Sequence, residues 1–148
     1  MKSTALFWFR RDLRLTDNAG LFRALSQYQQ VQPVFIFDPN ILQELPPNDA
    51  RVEFIHQTLA ALHRELQAAG SSLKVLHATP ADAFRQLADE FHPEAVFCNH
   101  DYEPYALQRD AGIQDFLTTK NIAFHTYKDQ VIFEKNEVVK DDGKPYTV

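Results

Sequence analysis

Glycine, cysteine and long apolar runs are scarce in this sequence of 148 residues, which holds four Gly and a single Cys. The glycines are Gly20, Gly70, Gly112 and Gly143. None lies in a loop that could follow the first apolar run, so the close backbone approach to a pyrophosphate seen in dinucleotide fingerprints and P-loops is excluded. The lone cysteine, Cys98, closes no intramolecular disulfide, and no Cys/His cluster has zinc spacing, so packing must hold the fold. No run approaches the roughly 20 apolar residues of a membrane span. Only five uncharged residues separate Thr4 from Arg10, too few for a secretory leader, and a soluble, cytoplasmic protein is expected. Basic charge is also short: 15 Lys and Arg face 20 Asp and Glu, a net charge of −5. That balance disfavours strong nucleic-acid binding by this chain alone, though a local basic patch is compatible with it.

What is present is the composition of one globular domain, with 45% hydrophobic and 24% charged residues and 12 Phe. Thr4 to Phe9 is a short apolar run bounded by charge, the pattern of a strand buried on both faces. Asn18 and its neighbours Thr16 and Asp17 supply cap-type residues, and Leu21, Leu25 and Tyr28 follow at helical spacing. A second strand is expected over Val31–Phe37, with Pro33 near its start. Val52, Ile55, Leu59, Leu62 and Leu66 form one stripe on a helix from Arg51 to Ala69, stopped by Gly70 as a C′ glycine. Leu73–Leu76 reads as strand three, and Thr79, Pro80 and Asp82 open a helix with Thr as N-cap and Pro at N1. Ala95–Cys98 is strand four, Pro104–Leu117 a helix, and Ile122–His125 strand five. Strands alternating with helices predict a doubly wound, Rossmann-like α/β domain with a five-stranded parallel sheet. Beyond it, a hairpin turning at Lys135–Asn136 and a turn over Asp141–Lys144 are expected.

In open α/β sheets, ligands bind beyond the carboxyl ends of the strands. That rule selects Arg10–Asn18, Asp38–Arg51 and Asn99–Glu103. The first concentrates three Arg and two Asp; either it is a solvated charged loop, or Asp12 pairs with an Arg locally and Arg14 reaches Asp101 or Glu103 across the sheet top. In the third, Asp101 and Glu103 fit an acid/base pair, or helix capping with ion pairs to the arginine loop. His100 reads as a loop hydrogen-bonder, His56 and His63 as surface residues, Cys98 as a small buried hydrophobe and Trp8 as core. Phe35 and Phe37 share one face of strand two, either in the core or walling an aromatic pocket. No metal site and no catalytic nucleophile is expected.

Leu6-Phe7-Trp8-Phe9-Arg10-Arg11-Asp12-Leu13-Arg14-Leu15-Thr16-Asp17-Asn18 closely resembles the opening motif of DNA photolyases and cryptochromes. Arg51–Ile55, Phe97–Tyr105 followed by Arg109-Asp110, and Gly143–Val148 resemble further motifs in the same order. The resemblance implies an amino-terminal α/β antenna domain over residues 1–130, with 131–148 starting a linker to a helical domain that carries FAD and grips damaged DNA. In this reading Val148 is a truncation point, the 148 residues alone neither repair DNA nor bind FAD, and the parent protein is a deoxyribodipyrimidine photolyase acting on UV-induced pyrimidine dimers by electron transfer from photoexcited FAD. The alternatives are a cryptochrome-like blue-light photoreceptor or a structural interaction module. The resemblance further implies a light-harvesting antenna contacted by Phe35, Phe37, Asp38, Arg51 and Asp101. Folate-binding members carry Asn-Glu where this chain has Tyr105-Ala106, so a deazaflavin or flavin is implied in preference to a folate.

Overall fold

A computed structural model describes residues 3–134 and 137–144. Five strands, β1 (Thr4–Phe9), β2 (Gln30–Phe37), β3 (Lys74–His77), β4 (Ala95–Asn99) and β5 (Ala123–Tyr127), form one sheet in the order β3-β2-β1-β4-β5. Every pairing is parallel. The helices are α1 (Ala19–Gln27), α2 (Pro39–Leu42), α3 (Ala50–Ala68), α4 (Pro80–Phe91) and α5 (Pro104–Thr119). Each expected strand is present, with boundaries shifted by no more than a few residues at either end. The four-residue α2 is additional, too short to carry a period.

β1 lies at the centre, and its side chains alternate between two cores. Leu6 and Trp8 pack with Val34, Ile36, Phe84, Leu87, Ile113 and Leu117 on the α4/α5 face. Phe7 and Phe9 pack with Leu21, Phe35, Leu59, Leu62, Leu66 and Phe97 on the α1/α3 face. Burial on both faces is why β1 and β4 read as unbroken apolar runs. Pro33 is tolerated in β2 because pairing with β3 begins only at Val34.

Local chemistry fixes the ends of the helices. Thr79 accepts from the Asp82 N–H at 3.3 Å, and Pro80 starts α4. Gly70 has φ +77°, a left-handed position that glycine adopts at no steric cost, just past the end of α3. Along α1 one expectation fails. Leu25 is exposed, because the helix packs through Gly20, Leu21 and Ala24.

The hairpin turn at Lys135–Asn136 lies outside the described residues, and no strand forms over 131–134 or 137–144. The turn over Asp141–Lys144 is present, closed by the Gly143 N–H donating to Lys140 O at 2.8 Å. No helix among the described residues is long and apolar enough to cross a membrane.

Candidate functional site

Strand order reverses at β1, so the crevice above the carboxyl ends of β1 and β4 is where this architecture places a ligand. On the α1 face, the chain's own polar groups fill it. Asn99 at the end of β4 donates from Nδ2 to Asp12 Oδ2 (2.5 Å) and Asn18 Oδ1 (2.8 Å), and accepts the Gly20 N–H at 2.8 Å. Asn18 caps α1, accepting the Leu21 N–H at 3.1 Å. Asp12 accepts the Arg10 N–H at 2.9 Å. All three side chains are buried. This knot fastens the β1 loop, the start of α1 and the end of β4 together, and it occupies the ground a phosphate would need.

The α5 face is built differently. Arg10 leaves β1 in phase with Trp8 and donates to Asp110 Oδ2 (2.5 Å) and to the Asn99 carbonyl. Its guanidinium carbon lies 4.9 Å from the Trp8 ring centroid, and that of Arg109 lies 4.8 Å from it. Burial works against the charge of Arg10, but Cys98, Asp110 and Asp101 outweigh it and leave its pKa above the ordinary value. Arg109 donates to Asp110 Oδ1 at 3.0 Å and has Asp101 Oδ2 at 3.6 Å. The guanidinium that reaches Asp101 and Glu103 across the sheet top is that of Arg11, at 3.8 and 2.5 Å. Arg14, expected there, instead pairs with Asp129 at 2.9 Å after the β1 loop turns back on itself. Asp12 has no guanidinium partner; its ligands are amides.

Of the five residues singled out for a pigment, Asp38 and Asp101 come to this face. Asp38, buried at the end of β2, accepts from the Asn40 N–H (2.9 Å) and from the Tyr105 hydroxyl of α5. Burial and that carboxylate raise the Tyr105 pKa. Phe35 and Phe37 lie on the opposite face, rings edge to face at 5.0 Å, packed into the α1/α3 core. Arg51 stands apart at the start of α3, exposed and paired with Asp49. Arg109 and Tyr105 are the site residues that sequence reasoning did not single out as contacts. Their signal lay in the third motif of the resemblance, which contains both, and in their spacing of one helical turn just past a strand end.

Around the rim, Glu134 accepts from the Tyr102 hydroxyl (2.9 Å) and pairs with His100, whose other ring nitrogen meets Thr126 Oγ1 at 2.9 Å. These contacts line a groove of about 470 Å³ with Leu107, Ala111 and Phe124. Burial and then Glu134 push the Tyr102 pKa up to about 12. Burial likewise pushes the Cys98 thiol up to about 12, which removes it as a nucleophile at neutral pH. Among the described residues no group of His, Cys, Asp and Glu could hold a metal ion.

Comparison with known proteins bears on the family and the fold. The family described as DNA photolyase matches residues 5–148. The deoxyribodipyrimidine photo-lyase of a Synechococcus strain is 38% identical over 148 residues, all of this chain and 31% of the relative. The crystal structure of a bacterial class III photolyase from Agrobacterium tumefaciens superposes with a TM-score of 0.88 at 28% identity, over 100% of this chain and 30% of that one. An archaeal photolyase from Sulfolobus tokodaii, solved with two FAD molecules and described as implicating a novel light-harvesting cofactor, gives 0.77 at 33% identity, over 93% of this chain and 32% of that one. Cryptochromes are among the further relatives. The chain thus spans about a third of the length of each of these photolyases. With the motif at the end of β1, the sheet order and the match along nearly every residue in agreement, this chain belongs to the DNA photolyase family.

Proposed function

We propose that this chain is the light-harvesting-cofactor domain of a cytoplasmic deoxyribodipyrimidine photolyase, residues 1–130 forming the α/β unit and 131–148 the start of the connection to an FAD-bearing region outside these residues. The whole polypeptide, in this reading, repairs UV-induced pyrimidine dimers in DNA by light-driven electron transfer from FAD. The observation that carries it is the 38% identity to the Synechococcus photolyase along the entire chain, of which it makes up 31%.

The residues present suit a flat pigment. A bound antenna supplies absorption and passes excitation on, which calls for no acid, base or nucleophile in this domain. What it calls for is an orienting set of polar groups on a rigid frame. Among the described residues Arg109 Nη2 is a buried donor with no hydrogen-bond partner; the buried carboxylate of Asp101 lies 3.6 Å from it, and that of Asp38, on the same face, holds the Tyr105 hydroxyl. A face that carries this donor together with buried carboxylates favours a ring that shows carbonyl and N–H on one edge, as flavins and deazaflavins do. Phe35 and Phe37 act here by stiffening the α1/α3 core under the site, and Arg51 by fixing the start of α3.

The test is repair by the whole polypeptide carrying FAD. A UV-irradiated oligonucleotide should lose its cyclobutane dimers under blue light and keep them in the dark, as read by chromatography. Flavin photoreduction without any loss of dimers overturns the repair reading and supports the photoreceptor one.

A further inference from the structure

Three features of the α5 side converge. The Arg109 side chain is only 8% exposed, yet its Nη2 makes no hydrogen bond among the described residues, the Asp101 oxygen lying at 3.6 Å. Helix α5 begins with no side-chain cap, because the carboxylate of its cap residue Glu103 turns to Arg11. Asp38, also buried, is satisfied from two sides, by the Asn40 N–H and by the Tyr105 hydroxyl. Tyr105 and Arg109 are one helical turn apart, and helical side chains lean toward the N-terminus, so the guanidinium lies over the turn that holds Tyr105. The phenol hydroxyl donates to the buried acceptor Asp38, accepts from Asn40 Nδ2 at 3.4 Å, and feels the charge of the Arg109 guanidinium.

The charges say what the site takes. Arg10, Arg11 and Arg109 are outnumbered by Asp38, Asp101, Glu103 and Asp110. A phosphate or carboxylate would be repelled, whereas a neutral group offering a carbonyl next to an N–H would satisfy the Arg109 donor and could take the place of the Tyr105 hydroxyl on Asp38. The imide edge of a flat heteroaromatic ring has that pattern. Tyr105 itself is 39% exposed, so its ring can swing into water without opening the core.

We propose that Tyr105 is the gate of this site: its hydroxyl stands on Asp38 where the ring imide N–H binds, and an imide-bearing ring enters by displacing Tyr105 outward and giving its carbonyl to Arg109 Nη2. The inference rests on the pigment reading above and adds to it the gating residue and the edge that is recognised. In the closed state the apparent affinity is lowered by the fraction of molecules with the gate open.

Riboflavin and N3-methylriboflavin, titrated by fluorescence quenching into the 148-residue chain and into Tyr105→Phe, test it. Tyr105→Phe keeps the ring and loses the bond to Asp38, so riboflavin should bind about tenfold more tightly than to the wild type, the scale of one hydrogen bond to a charged group. The N3-methyl ring, which has no N–H to give Asp38, should bind the wild type about tenfold more weakly than riboflavin does. This second comparison needs no variant and stands even if Tyr105→Phe does not fold. Riboflavin binding to Tyr105→Phe alone supports the gate. Equal riboflavin affinity of wild type and variant, or equal affinity of the wild type for the two rings, overturns the gate and leaves the pigment reading standing. No binding by either protein overturns both.

Discussion

A Cβ placed on Gly20 would stand 2.7 Å from Asn99 Oδ1, 3.0 Å from Phe7 Cε2 and 3.3 Å from the Cys98 carbonyl carbon. Two of those neighbours are immobile, one a core ring and the other backbone, and Asn99 is held at both ends of its amide. The residue's role is close approach: it lets the first turn of α1 donate directly to the side chain that ends β4. Gly20→Ala gains about 1 kcal/mol of helix propensity. Against that stand overpacking of about 1 to 3 kcal/mol and a stretched buried hydrogen bond of about 1 kcal/mol. The expected net effect is a loss of about 1 to 3 kcal/mol, seen as a lower urea midpoint with an unchanged slope. A midpoint at or above the wild-type value would mean that the Asn99 amide can turn aside and that the knot does not lock α1 to β4.

At the scale of the element, the start of α3 shows how a residue expected at a pigment serves a helix. Asp49 accepts the Arg51 N–H at 2.9 Å as N-cap, and the Arg51 side chain returns to the same carboxylate at 2.9 and 2.6 Å. The Arg51 hydrogen bonds hold the Asp49 carboxyl down to about 2. A depressed carboxylate stabilises the fold fully above its unfolded pKa, and the contribution is lost as pH falls through the folded one. The cap should therefore be complete at pH 5 and above, about one unit over the ordinary Asp value, and come undone on acidification toward about 2. In Arg51→Gln, the carboxyl carbon of Asp49 should titrate closer to an ordinary aspartate, as followed by NMR. A titration still near 2 would assign the effect to the backbone N–H alone. Elements of this kind were legible in the sequence because their determinants are local. Thr79, Pro80 and Asp82 specify the start of α4, Gly70 the end of α3, and the doubly buried β1 announces itself as a continuous apolar run. The site was legible only as three strand-end segments. Which arginine crosses to Asp101 depends on how the β1 loop turns, and the Arg14 N–H donating to Asp12 O at 2.7 Å sends Arg14 toward Asp129 and leaves Arg11 facing β4. That Asp38 meets Tyr105, 67 positions away, is a property of the sheet order and of no short stretch of chain.

For the molecule as a whole, the arginines that make the β1 loop look basic are already engaged. Arg10 is paired with Asp110, Arg11 with Glu103 and Arg14 with Asp129, while Arg51, Arg85 and Arg109 each hold a neighbouring aspartate. Lys74 and Lys128 are held by Glu90 and Glu137. Binding to a DNA backbone draws its free energy from the release of counterions, one for each phosphate that a cation neutralises, and a cation already paired with a carboxylate releases few. With a net charge of −5 added to these pairings, this chain is expected to repel a duplex. In the photolyase reading proposed above, any grip on damaged DNA would then belong to surface outside these residues. Fluorescence anisotropy of a labelled duplex, with and without a thymine dimer, should show no saturable binding by the 148-residue chain at about 50 mM salt, a condition under which even nonspecific DNA-binding proteins are retained. Micromolar binding that weakens steeply as salt is raised would contradict this, because that slope counts phosphates neutralised and would place a basic track on the α/β domain itself.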